Sequence, residues 1–164
     1  MREKMFVEYM NAIRARYLKL GYTPYRWFHA EGPPTFTPLK KELRNSTIGL
    51  LSTSGAYSLG QRAYHYKDDT SLRAIDKNTI QEDIRFSHIT ENYLSSPRKD
   101  PDCILPIGQL RHLEDKNIIG KLADRVYSCM GGVYSQRRVL SEIAPEIYKQ
   151  FRSQEVDVAM LIPM

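Results

Sequence analysis

Apolar residues Phe6, Met10, Ile13, Tyr17 and Leu20 recur at intervals of four, three, four and three, which predicts a helix over the first twenty residues with these side chains on one face. Gly21 supplies its stop. The pattern then breaks up. The stretch "YTPYRWFHAEGPPTFTPL" holds four prolines and five aromatic residues in eighteen positions. Proline fixes φ and removes a backbone donor, so this reads as an extended, irregular arm. Aromatic rings at that density are not left in water, and the arm is expected to wrap over a core or onto a partner.

"STIGLLSTSG" (46–55) is the clearest strand followed by a loop. Its run Ile48, Gly49, Leu50, Leu51 alternates with nothing polar, as in a strand of a parallel sheet with both faces covered. Residues 56–102 are polar with little periodicity and predict loops with short helices. "DCILPI" (102–107) reads as a second strand or the entry to a helix. "GQLRHLEDKNIIG" reads as a short helix capped by Gly120, and "YSCMGGVY" (127–134) as a glycine-bearing turn. Residues 135–154 predict a helix with Val139, Leu140, Ile143, Ile147 and Phe151 facing inward, kinked at Pro145. The closing "VDVAMLIPM" (156–164) reads as a buried strand one short link later.

Strands alternating with helices imply an α/β fold: an open, mainly parallel sheet with flanking helices, preceded by an N-terminal helix and an aromatic, proline-rich arm. The division expected is residues 1–44 for helix and arm, and 45–164 for the α/β domain. Two clear strands are fewer than a stable sheet needs, so that domain reads as possibly incomplete at its C-terminal side.

Charge changes the picture at one end only. Residues 1–44 hold nine Lys/Arg against four Asp/Glu, whereas 45–164 hold fifteen of each. The whole net charge of +5 is therefore in residues 1–44, helix and arm together, which suits docking to an acidic protein surface, or simply a solvated helix face. No zinc-finger, RNP or homeodomain pattern accompanies it, so nucleic acid is not the expected partner. No apolar run reaches the length of a membrane helix, and the start lacks a signal-peptide core. Two cysteines without a CxxC pairing suit a reducing compartment, and the cytoplasm is the expected location.

Candidate chemistry gathers where strands end, because open α/β sheets bind ligands beyond their carboxyl ends. Ser52, Thr53, Ser54 and Gly55 could cradle a carboxylate or phosphate, or could serve only the geometry of a tight turn. Cys129 is either a nucleophilic or redox thiolate on a flexible loop or a small buried apolar residue. It lies with Ser128, Gly131 and Gly132 in a loop that could close over a ligand. His88 could act as a general base or make structural hydrogen bonds. Asp100, Asp102 and Glu91 lack metal-ligand spacing, and there is no P-loop, G-x-G-x-x-G or G-x-S-x-G. No metal site and no cofactor of the chain's own is expected.

Six strings in order carry a resemblance: "LGYTPYRWFHAEGPPTFTPL", "STIGLLSTSGAY", "SLRAID", "RFSH", "DCILPIGQLRHLEDKNIIG" and "EIYKQFRSQEVDVAMLIP". Together they resemble the selenoprotein B family of the glycine, sarcosine, betaine and D-proline reductases, especially its smaller D-proline reductase-like members. The resemblance implies a subunit for thiol- or selenol-dependent reductive cleavage of a C–N bond in an amino acid or related amine. It also implies that the last strand runs into a short Cys/Sec motif, so the sequence is expected to be cut off just before that motif and to be inactive alone. A partner subunit bearing a carbonyl cofactor would be needed, and a homo-oligomer is possible in its place. The competing expectation is a non-catalytic, degenerate homologue that docks through its N-terminal arm.

Overall fold

The computed structural model describes residues 9–24, 28–33 and 35–164, so Phe6 and residues 25–27 and 34 of the arm lie outside the described residues. The chain divides into two compact units, Met1–Phe36 and Thr37–Met164. In the first, helix α1 spans Tyr9–Lys19. It stops as its sequence demands: Gly21 sits at φ +81°, a left-handed conformation that glycine adopts without strain, and donates to the Leu18 carbonyl at 3.0 Å. Tyr22 folds back against Tyr17, with ring centroids 5.9 Å apart.

The second unit is built on strand β1 (Thr47–Ser52), in which every residue from Ile48 onward is buried. The remaining strands are β2 (Ala56–Ser58), β3 (Arg73–Asp76), β4 (Ile84–Phe86), β5 (Lys121–Leu122), β6 (Arg125–Ser128) and β7 (Val158–Ile162). Strand β7 runs parallel along one edge of β1, from Ile48↔Val158 to Ser52↔Ile162. Strands β5 and β6 share the other edge, also parallel, pairing with Thr47–Ile48 and Leu51–Ser52 respectively. Strand β3 closes the far side of β6 in antiparallel register. Strands β2 and β4 form a separate two-stranded antiparallel pair. The sheet is mainly parallel and flanked by helices, the α/β arrangement expected from the sequence.

Alternation along β1 divides the core. Ile48 and Leu50 face one cluster, with Ile75, Leu105, Leu110, Leu122 and Val126, beneath helix α2 (Ile107–Asp115). Leu51 faces a second, with Tyr127, Cys129, Ile143 and Phe151. Gly49 lies opposite the helix that follows: a Cβ there would come within 2.9 Å of Val156 and 3.0 Å of Phe151, so the missing side chain lets that helix approach the sheet.

The helical layer over the second cluster has three parts: α3 (Gln136–Arg138), a π-helical turn at Val139–Ile143 and α4 (Ala144–Ser153). Pro145 explains the wide turn, because it has no N–H to give the carbonyl four residues earlier and its ring crowds that carbonyl. The wide turn breaks the 3.6-residue phase. Val139, Ile143, Ile147 and Phe151 still pack inward, but Leu140 is turned out and 62% exposed.

Other expectations need correction. Tyr127 and Ser128 of the supposed glycine turn belong to β6, a central strand, and the turn begins only after Ser128. The polar stretch 56–102 contains three strands of three or four residues, too short to show alternation. Helix α2 ends on Asn117 at φ +55°, not on Gly120, whose role is close approach: a Cβ there would meet Ser46 N at 2.8 Å. Strand β7 is an edge, not a core strand. It pairs with β1 on one side and with no other strand among the described residues, which leaves Met160 40% and Leu161 63% exposed.

The contrast between β1 and β7 is measurable. Leu50→Ala empties a fully buried position and is expected to cost about 2–5 kcal/mol. Leu161→Ala, on the exposed edge, should cost under about 1 kcal/mol. Urea unfolding monitored by circular dichroism compares the two; equal losses would contradict the assignment of centre and edge.

Candidate functional site

Parallel pairing puts the carboxyl ends of β1, β6 and β7 on the same side of the sheet, and the three exits meet there. The Thr53 N–H donates to the Ile162 carbonyl at 3.0 Å, and the Met164 N–H donates to Thr53 Oγ1 at 2.8 Å. Ser54 forms an isolated antiparallel bridge with Met130, and the Gly55 N–H donates to the Cys129 carbonyl at 3.0 Å. The turn after β1 is thus bound to the turn after β6 on one side and to the end of β7 on the other.

The sequence singled out Ser52–Gly55 as a possible anion cradle, and the structure shows how its polar groups are used. The Thr53 and Gly55 amides are bonded within the fold, and the next amide, Ala56 N–H, donates to Ser128 Oγ at 2.8 Å. Ser52 and Ser54 are fully buried, and their hydroxyls have no hydrogen-bond partner among the described residues. Thr53 alone is partly open, its hydroxyl already accepting from Met164. Gly55 sits at φ +67°, and a side chain there would collide with the Ser87 carbonyl oxygen.

His88 follows β4 and lies at the centre of this junction, only 4% exposed. Nδ1 lies 2.6 Å from Thr90 Oγ1 and 3.1 Å from the Thr90 N–H, while the Gly131 N–H points at Nε2 from 3.2 Å. Its ring also bonds to the Thr53 backbone. A neutral imidazole has one N–H and one lone pair, so two arrangements are available. In one, Nδ1–H donates to the Thr90 hydroxyl and Nε2 accepts from Gly131. In the other, Nε2–H donates to the Thr53 carbonyl and Nδ1 accepts from the Thr90 N–H. Each ring nitrogen has both an N–H and an oxygen beside it, so burial rather than these contacts disfavours a second proton. Burial is the larger cause that holds His88 below its ordinary value, against the opposing pull of the Thr53 bond and the Glu91 carboxylate. His88 is a neutral, structurally bonded ring.

Gly131 shows how tightly the junction closes: a Cβ there would stand 2.9 Å from His88 Nε2, the Thr53 carbonyl and the Met164 carbonyl alike. At Gly132 a Cβ would come within 2.5 Å of Ile89 Cγ2. Ser128 anchors the loop from beneath. Its hydroxyl holds Ala56, and its carbonyl accepts from Tyr64 OH at 2.5 Å, with Arg73 stacked 4.2 Å over the Tyr64 ring. Met164 was expected at a strand end beside Ser52–Gly55, but Thr90 and Tyr64 were not foreseen. Thr90 lies two residues from His88 and carried a local signal; Tyr64 is brought in by long-range contact alone.

Both thiols are protonated at neutral pH. Cys129 is 3% exposed, and burial pushes it up to about 11. Cys103 is exposed and also raised, first by partial desolvation and then by Asp100 and Asp102. Beside Cys129 a cavity of about 260 Å³ opens between the strand ends and the helical layer. It is lined by Leu51, Thr53, Met130, Gly131 and the inward residues of the π turn and α4.

This is an open α/β domain whose site lies at the common end of three parallel strands, and comparison with known proteins identifies its class. Residues 85–163, which include His88, the loop after β6 and all of β7, match the family described as glycine/sarcosine/betaine reductase selenoprotein B. The chain belongs to this family. More particularly, it is 30% identical over 129 residues to a D-proline reductase subunit gamma from Acetoanaerobium sticklandii, covering 79% of this chain. The match takes in 53% of that protein, so the chain spans about half the length of this curated relative. No solved structure matches the chain.

Two outcomes follow for the junction. Gly131→Ala should destabilise the domain by about 1–3 kcal/mol, because the atoms it meets are two backbone carbonyls and a buried ring. His88 has a folded pKa below its ordinary 6.5, so between those values the unfolded chain binds more protons than the folded one. Its contribution is complete above about pH 6.5 and is lost as pH falls toward the folded pKa. Chemical denaturation from pH 7.5 to 5 should show that decline and a flatter curve for His88→Gln; parallel curves would refute it.

Proposed function

We propose that this chain is a subunit of a reductase complex that cleaves a C–N bond of an amino acid or related amine with electrons from thiols or a selenol. The observation that carries the reading is the convergence of the β1, β6 and β7 exits on His88 and Gly131, within the segment that matches the family. The carboxyl ends of parallel strands are where an α/β sheet presents ligands. Two electrons and two protons leave a dithiol, which becomes a disulfide, while the C–N bond is replaced by C–H and N–H bonds.

The chain's own residues support a positioning role in that reaction. Neither Cys129 nor Cys103 is held as a thiolate, which favours a reducing group outside these 164 residues. Thr53, His88 and Gly131 fix the direction in which β7 leaves the sheet. Buried Ser128 braces the turns through its hydroxyl and carbonyl, and Gly55 and Gly132 permit their close contact. As in the resembling family, a protein partner supplies the substrate-activating carbonyl. The basic arm is suited to meeting an acidic surface on that partner.

The test is purification of the native protein with its partners, followed by assay with D-proline, sarcosine and glycine in the presence of a dithiol. Amine release that depends on this subunit supports the reading, with Cys129→Ser retaining turnover. A complex that assembles but cleaves no C–N bond would make the chain a non-catalytic docking subunit. Mass spectrometry of the native polypeptide locates the redox group. A mass equal to these 164 residues would assign that group to a partner, whereas a longer product bearing cysteine or selenocysteine would assign it to this chain.

A further inference from the structure

Strand β7 has one unpaired edge, and its ladder with β1 fixes which peptide groups lie there. On β1 the Ile48 and Ser52 carbonyls accept from Ala123 and Cys129, so even-numbered residues of that strand face β5 and β6 while odd-numbered ones face β7. The Thr53 N–H reaches the Ile162 carbonyl, so Val158, Met160 and Ile162 turn their peptide groups toward β1. By alternation Ala159 and Leu161 direct theirs outward, where no strand among the described residues meets them. This free stretch has definite ends. The Asp157 N–H is already given to the Thr47 carbonyl at 2.9 Å, and Pro163 has no N–H to give.

Folded proteins blunt an open edge with a lysine, an inward-pointing charge or a proline inside the strand, and Val158–Ile162 contains none of these. Met160 and Leu161 stay exposed on opposite faces of the strand. The free groups are also their own complement. Laid antiparallel against itself about a two-fold axis at Met160, the strand sets Ala159 opposite Leu161 of a second copy, and Leu161 opposite its Ala159. Both are the hydrogen-bonded kind of antiparallel pair, so the two N–H groups and two carbonyls of each copy all find partners. Small Ala159 then lies beside large Leu161 on one face, and Met160 meets Met160 on the other. Residues 45–164 hold fifteen basic and fifteen acidic side chains, so two such units approach without net repulsion.

We propose that β7 is the interface of a two-fold dimer of this chain, in which the sheets of two copies join through antiparallel pairing of their β7 strands. The dimer does more than cover an edge. The same register sets Asp157 of the second copy opposite Pro163, next to Met164. The Lys41–Asp157 ion pair, with 2.7 Å between nitrogen and oxygen, thus flanks the strand-end junction of the other copy. Each buried, uncharged junction acquires a charged neighbour from its partner. Dimerisation is independent of the reductase reading above, since it needs no ligand.

Sedimentation of the full chain over a range of concentrations should show the dimer. Leu161→Lys puts a charge on the edge, and Ala159→Pro deletes an outward donor while sparing the bonds to β1. Both variants should sediment as monomers with the circular dichroism spectrum of the unmodified chain. Cross-linking in a Cys103→Ser background, which removes the exposed thiol, reads the register. Met160→Cys stands opposite itself in the closer kind of pair, with Cα atoms about 4.5 Å apart, and should form a disulfide-linked dimer on mild oxidation. Leu161→Cys should not, because its copy lies diagonally out of reach. Should Ala159→Pro fail to fold, hydrogen exchange replaces it: the Ala159 and Leu161 amides should be protected in the dimer and lose that protection in Leu161→Lys. A monomeric unmodified chain, a dimer that survives Leu161→Lys, or cross-linking through Leu161→Cys alone would overturn the proposal. So would protected Ala159 and Leu161 amides in a monomer, which would give the edge to another segment of polypeptide.

Discussion

Everything in the larger unit depends on β1 being covered on both faces and paired on both edges. Six residues, Thr47–Ser52, support two hydrophobic clusters and join β5, β6 and β7. That is possible only because the strand contains no charge and because Gly49 lets the helical layer come close. Its parallel pairing with β6 and β7 has a further effect. Three polypeptide exits are delivered to the same end of the sheet, where a chain of antiparallel hairpins would have scattered them. The site is in this sense a consequence of the strand.

Once delivered, the exits consume most of one another's polar groups. The Thr53, Gly55, Ala56 and Met164 amides all find partners within the junction. His88 links Thr53, Thr90 and Gly131 across it. Glycines at 55 and 131 stand where any side chain would strike backbone or a buried ring, and at 132 it would strike the Ile89 side chain. Such an arrangement is stiff and offers few free donors. It suits holding a neighbouring group in a fixed direction better than gripping an anion, which would need those same amides unbonded.

How much of this was legible varies by element and for physical reasons. Strand β1 announced itself through an uninterrupted apolar run with a small-residue loop after it, and Gly21 and Pro145 marked a stop and a distortion by their own stereochemistry. Strand β6 did not: Val126, Tyr127 and Ser128 are too few to show a period, and the glycines that follow them read as a turn. Its burial comes from pairing with residues more than seventy positions earlier. The status of β7 was misread for the opposite reason, since an apolar run reports what could be buried and not whether a second neighbour exists. At the site, His88, Cys129 and the two glycine-bearing turns were recognisable as residue types, but their convergence depends on long-range register. The protonation states of His88 and Cys129 follow from burial that no local window contains.

The electrostatics of the junction argue for a division of labour. The strand ends are buried deeply enough to hold an imidazole below its ordinary value and to push a thiol up to about 11. The same environment disfavours any fixed charge in the adjoining cavity. A nucleophile generated inside it would have to be formed against that bias, whereas one presented from outside would meet weakened competition from water and strengthened attraction to an electrophilic carbon. The strand end is therefore a rigid, uncharged support, and the charged and redox-active groups that the proposed reaction needs fall outside its buried part.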